Sequence, residues 1–189
     1  MLALGRLERT PESALWGFRG SPAFAPAEHE LAPQPEAGAY LVRRYLAAFG
    51  PATRADLSQW SGVPVRDLTP GLEQVKLRTF RDERGRELLD LPRAPLAPAD
   101  AVAPPRLLPR WDELLLAHAD RTRVLPEEYR KTVIKKNGDV LQTFLVDGFV
   151  AGLWREERGR VVLEPFKSIP RTARRELEDE ARRLEEWLR

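Results

Sequence analysis

The sequence predicts an α+β chain, with helices and one hairpin in its first half and an antiparallel, barrel-like β-meander closed by a C-terminal helix in its second. Three observations predict it: apolar residues at helical spacing between 38 and 75, period-two alternation around a charged turn at 82–86, and Gly-containing turn dipeptides between 137 and 159. The 17 prolines cluster at 22–35 and 92–109 and set the expected boundaries. These are an irregular N-terminal arm (1–37), a helix-and-hairpin domain (38–92), a Pro-rich linker (93–109) and an α+β module (110–189).

The elements follow in order. Leu15-Trp16-Gly17-Phe18 reads as a short strand or docked loop, and Pro22, Pro26, Pro33 and Pro35 argue against a long helix in the arm. Leu41, Val42, Tyr45, Leu46 and Phe49 form one apolar stripe of a helix that Gly50-Pro51 stops. Thr53 and Asp56 have the spacing of a capping box, Leu57 and Trp60 face inward, and Gly62 ends that second helix. Leu68, Leu72 and Val75 mark a third helix, which Thr69-Pro70-Gly71 should shorten or kink. Residues 76–81 and 87–91 alternate about the 82–86 turn as a hairpin. Helix, short helix, helix, hairpin is the order of a winged helix-turn-helix. Beyond the linker, Trp111, Leu114, Leu115 and His118 follow helical spacing, and Pro126 opens a second short helix. Asn137-Gly138 is expected as a type I′ turn, followed by tight turns at Asp147-Gly148 and Arg158-Gly159. Ala173, Leu177, Ala181, Leu184 and Leu188 are the buried stripe of a final helix whose charges cancel along a solvated face.

Composition narrows the function. The chain is 42% hydrophobic and 32% charged, yet its net charge is only +2, so a nucleic-acid surface must come from local clustering. The absence of cysteine excludes disulfides and Cys-based zinc sites. The first residues lack the apolar run of a signal peptide or anchor, and no stretch approaches the ~18 apolar residues of a membrane span. The expectation is a cytoplasmic protein with no membrane partner and no cofactor. Nucleotide-binding and serine-hydrolase signatures are absent.

Three stretches carry a family resemblance: Tyr40 to Leu57 (YLVRRYLAAFGPATRADL), Leu107 to Leu116 (LLPRWDELLL) and Leu145 to Arg155 (LVDGFVAGLWR). In this order they resemble the winged-helix DNA-binding family that includes bacterial DNA glycosylases of the AlkZ and YcaQ type, over roughly residues 38–165. The resemblance implies tandem winged helices before a β-barrel-like C-terminal region, with the earlier module ending near Leu15-Trp16-Gly17. It also implies enzymes that unhook alkylated bases and interstrand crosslinks through a Gln-x-Gln or Gln-x-Asp motif. Gln34, Gln59, Gln74 and Gln142 match neither form, so no catalytic residue is carried over.

The residues proposed to meet double-stranded DNA are cationic. Arg78, Arg81, Arg84 and Arg86 lie on the hairpin, where guanidinium forks suit phosphates, although Asp82, Glu83 and Glu87 can neutralise them. Arg121, Arg123, Lys135 and Lys136, with Arg130 and Lys131 nearby, form the densest basic run. The third helix is a poor base reader, because Asp67 and Glu73 oppose Arg66 and Lys76. Asp112, Glu113, His118 and Asp120 form a polar group without metal-ligand spacing, and Asp112 reads as a helix cap. Asp112 and Glu113 are the candidates if the chain is itself a glycosylase. A protein-interaction module without nucleic acid is the remaining alternative.

Overall fold

The computed structural model describes residues 7–14, 19–26, 32–98 and 100–187, and the Leu15-Trp16-Gly17-Phe18 stretch lies outside them. In the arm, β1 (Leu7–Arg9) and β2 (Phe24–Pro26) pair antiparallel. The first helix, α1 (Gln34–Phe49), starts ahead of the expected residue 38 and contains Pro35. Proline is accommodated in a first turn because that N–H has no intrahelical partner to lose.

One core forms where α1 turns Val42, Tyr45 and Leu46 toward Leu57 of α2 (Arg54–Ser61), toward Leu68 and Leu72 of α3 (Val65–Glu73), and toward Leu89. The capping box is present at α2. Asp56 N–H donates to Thr53 Oγ1 at 3.1 Å, and Thr53 N–H donates to Asp56 Oδ2 at 2.8 Å. Gly62 closes the helix with a left-handed φ of 68°. α3 continues through Pro70 instead of breaking there; Pro70 and Arg66, one turn earlier, are both on its exposed side.

Gly71 has a packing role that helix propensity does not reveal. A Cβ there would lie 2.6 Å from Ala39 N, because α1 and α3 cross backbone to backbone at Gly38 and Gly71. Propensity alone would favour alanine by about 1 kcal/mol. Overpacking against an unyielding backbone costs about 1–3 kcal/mol, so the steric term wins.

β3 (Arg78–Arg81) and β4 (Glu87–Asp90) form the hairpin, in register from Arg78↔Asp90 to Arg81↔Glu87. Ala52, between α1 and α2, adds a one-residue bridge to Leu89 through bonds of 2.9 and 2.7 Å.

The Pro-rich stretch ends in β5 (Arg106–Leu108), which joins a four-stranded antiparallel sheet in the order β5-β6-β7-β8. The other strands are β6 (Thr143–Val146), β7 (Phe149–Glu157) and β8 (Arg160–Pro165). The sheet is open, with β5 and β8 as edges, rather than closed into a barrel. Leu108, Leu115, Leu125, Val133, Val140, Leu145 and Val150 build its core.

The helix expected at 111–118 is only a 3-10 turn, Glu113–Leu115, followed by another at Arg121–Arg123. The reason is local. Trp111 has a left-handed φ of 53°, and Asp112 and Asp120 each start a fresh turn by accepting the N–H two residues on. α4 (Glu127–Val133) follows Pro126.

Asp147-Gly148 and Arg158-Gly159 have positive φ at both residues, as type I′ turns require. At Asn137-Gly138 only Gly138 does; Gly138 N–H bonds Lys135 O and Lys135 N–H bonds Asp139 O, a longer bulged turn. Finally α5 (Arg171–Trp187) buries Ala173, Leu177 and Ala181 of the expected stripe, while Leu184 is half-buried and Leu188 lies outside the described residues. Its Glu180 accepts from Leu107 N–H on β5 and its Glu185 from Val161 N–H on β8, both at 2.8 Å. Among the described residues this is a mixed α/β chain of five helices and small sheets, and no helix is long and apolar enough to cross a membrane.

Candidate nucleic-acid interface

The two cores meet along a polar seam between the α1–α2 side and residues 113–123. Tyr45 Oη donates to Ala117 O at 2.7 Å, Ala119 N–H donates to Asp56 Oδ1 at 2.8 Å, and Trp60 Nε1 donates to Glu113 Oε2 at 2.9 Å. His118 Nε2 sits 3.1 Å from Phe49 O, which assigns the proton to Nε2. Burial, and then the Arg123 charge, push the His118 imidazole below its ordinary pKa. Burial works against ionisation of Asp56, but bonds from Thr53 and Ala119 outweigh it and hold the carboxyl below the usual range.

The hairpin tip closes on this seam. Asp82 accepts from the Arg84 and Arg86 backbone N–H groups at 3.0 and 2.8 Å and from Arg86 Nε at 2.6 Å. Arg84 and Arg86 then reach Asp120 at 3.3 and 3.5 Å. The bond from the Thr122 hydroxyl is the main cause that keeps the Asp120 carboxyl low, with both arginines adding to it. Around this contact is a cavity of about 420 Å³, lined by Asp56, Asp82, Asp120, Arg84, Arg86 and Arg123 among others. Charges of both signs face it, so it does not attract anions as bare arginines would.

The other predicted cations are dispersed. Arg78, at the opposite end of the hairpin, donates to buried Asp90 at 2.8 Å and to Ala94 O at 2.6 Å. Arg81 donates to Gly85 O at 3.0 Å and Arg123 to Pro51 O at 3.2 Å. Arg121 is half-buried beside Gln59, Trp60, Glu113 and Leu116. Lys135 and Lys136 are exposed on the 135–138 turn and make no ion pair among the described residues. Arg110 braces that turn by pairing with Asp139. The structure thus gathers Arg84, Arg86 and Arg123, and leaves Arg78, Arg81, Arg121 and the two lysines elsewhere.

A profile of DNA glycosylase AlkZ-like proteins matches residues 1–187. The chain belongs to the AlkZ-like family. The match extends beyond the 38–165 span of the sequence resemblance on both sides. An interstrand DNA cross-link repair glycosylase of Streptomyces sahachiroi is 27% identical over 166 residues, which are 79% of this chain and 42% of that protein. The solved structure of the Streptomyces sahachiroi DNA glycosylase AlkZ superposes with a TM-score of 0.68 at 26% identity, covering 81% of this chain and 43% of that one. The chain therefore spans less than half the length of the relatives it matches.

In this AlkZ-like chain the acidic candidates are already committed to structure. Asp112 Oδ1 accepts from Leu114 N–H at 2.9 Å, the capping role its position suggested. Glu113 holds the Trp60 indole, and Asp56 uses both oxygens within the seam. Among the described residues no group of three His, Asp or Glu side chains has the arrangement of a metal site. Sequence reasoning missed Arg43 and Arg93 as candidates. These exposed cations join Lys76 around one groove, and none of the three side chains has a hydrogen bond or ion pair among the described residues. No local pattern could single them out, since they come from three separate segments.

Proposed function

We propose that this chain is a DNA-binding unit of a glycosylase-like repair protein, acting on double-stranded DNA in the cytoplasm. We read 38–92 as a winged helix that grips the sugar-phosphate backbone, 93–109 as a link whose last residues join the sheet as β5, and 110–189, with that strand, as the platform that fixes its orientation. The observation that carries this reading is membership of the AlkZ-like family together with the order helix, bridge, helix, helix, hairpin around one core. Backbone gripping rather than base reading is supported by α3, where Pro70 and Asp67 occupy the helix that would enter a groove. The seam supports the platform role, since four hydrogen bonds of 2.7–3.1 Å hold the two cores together.

In this reading the base-excising chemistry lies outside the chain. Asp112, Glu113, Asp56 and Asp120 each serve the fold: Asp112 caps a turn, Glu113 holds the Trp60 indole, Asp56 ties the seam and Asp120 pairs with the hairpin arginines. The second reading, a chain that itself excises alkylated or crosslinked bases, draws on what the Streptomyces relative is said to repair.

Titration of a fluorescent duplex at low and near-physiological salt tests the first reading. Binding that weakens steeply with salt is expected. A folded sample that fails to bind at low salt refutes it. Abasic sites appearing in alkylated duplex on incubation with the chain would establish the second reading instead.

A further inference from the structure

We propose that the groove between α1 and the two segments flanking the hairpin seats phosphates of a DNA strand, apart from the hairpin tip; this rests on the DNA-binding reading above. The groove has a volume of about 650 Å³, within the ~300–1,000 Å³ of small-molecule sites. Arg43 comes from α1, Lys76 from the turn between α3 and β3, and Arg93 from the turn after β4. All three are exposed, and no carboxylate lines the groove among the described residues. The neighbouring buried acid, Asp90, is already taken by Arg78.

Two physical points favour a nucleic-acid strand over a lone anion. The walls between the cations are apolar, chiefly Val75, Pro92 and Pro95, and match deoxyribose better than water. The cations also come from separate segments around an open groove, so they can meet successive phosphates rather than converge on one. The hairpin arginines must first leave Asp82 and Asp120 to reach a phosphate. Arg43, Lys76 and Arg93 have no partner to leave among the described residues, so their solvation is the main cost of the contact.

The test uses the full chain, an Arg43→Gln/Lys76→Gln/Arg93→Gln variant and an Arg84→Gln/Arg86→Gln variant against one fluorescent duplex across a salt series. The groove variant should bind at least about tenfold more weakly, and its log K against log[salt] slope should be shallower by about 2–3. On the unmodified protein, acylation of Lys76 read by mass spectrometry should fall when duplex is present; this needs no variant to fold. Inorganic pyrophosphate at matched phosphate concentration supplies the anion without the strand and should protect Lys76 less. If duplex binds but the groove variant keeps wild-type affinity and slope, or Lys76 stays equally reactive, the groove assignment fails while DNA binding stands. Protection by pyrophosphate and not by duplex overturns it in favour of a small-anion site. If the unmodified chain binds no duplex at low salt, both readings fail.

Discussion

In the β3–β4 hairpin Arg78, Arg84 and Arg86 each reach a carboxylate, whereas on the 135–138 turn Lys135 and Lys136 make no ion pair among the described residues. Both regions look equally basic along the chain. They differ in what their charge is available for. A guanidinium in a folded-state bond stiffens the hairpin and contributes its field only as part of a near-neutral pair. An unpaired ammonium at a loop tip contributes almost nothing to stability and its full charge to an approaching phosphate. Substitutions in the first region should therefore register mainly in stability, and in the second mainly in DNA affinity.

The largest effect that would break this comparison is at Arg78. Its removal by Arg78→Ala leaves the Asp90 carboxylate, 1% exposed, without its cation. A loss of about 3 kcal/mol in urea unfolding is expected, with the salt dependence of duplex binding of the refolded protein little changed. Next is Lys135→Gln/Lys136→Gln, which should leave unfolding within about 0.5 kcal/mol of wild type. It should make the salt slope of duplex binding shallower by about 2. If that slope is unchanged, the tip does not touch the backbone.

A smaller effect concerns the seam against which the hairpin closes. His118 is pushed below its ordinary pKa in the folded chain, while the unfolded chain takes up its proton near the usual ~6.5. As pH falls through that value toward the folded one, the unfolded state binds more protons, so stability declines. Urea midpoints at about pH 7.5 and about pH 5.5 should show this decline in wild type and less of it in His118→Gln. An equal decline in both would assign the effect elsewhere. The smallest effect is expected of Arg84→Gln/Arg86→Gln. Solvent-screened arginine pairs of this kind add little to stability, so unfolding should change less than in Arg78→Ala, and duplex affinity should shift by less than in the lysine variant. A larger affinity loss there would invert the comparison.

What the sequence made legible was local. The Thr53–Asp56 capping box spans three residues, and the Asp147-Gly148 and Arg158-Gly159 turns span two, so neighbouring chemistry specifies them. The stripe through Val42, Tyr45 and Leu46 needed only helical spacing. What stayed hidden depends on distant partners. Asp56 Oδ1 is fixed by Ala119, 63 residues away, and the hairpin arginines by Asp120, 34 to 36 away. Glu87, which sequence suggested as a neutraliser of the hairpin, pairs instead with Arg54. Gly71 looked like a flaw in α3 because its reason, the passage of α1, is absent from its neighbours. The apolar spacing at 111–118 suggested a helix because buried residues on successive 3-10 turns can imitate one face of it.

The last helix has a consequence for solubility. Glu180 and Glu185 occupy backbone N–H groups on β5 and β8, the two open borders of the meander. Unpaired strand borders invite another chain to add a strand. Removing α5 would uncover Ala173, Leu177 and Ala181's seat on the sheet and release both borders at once. A version of the chain ending before Arg171 should therefore self-associate through its strands even where each hairpin still forms, and α5 serves as the molecule's guard against aggregation.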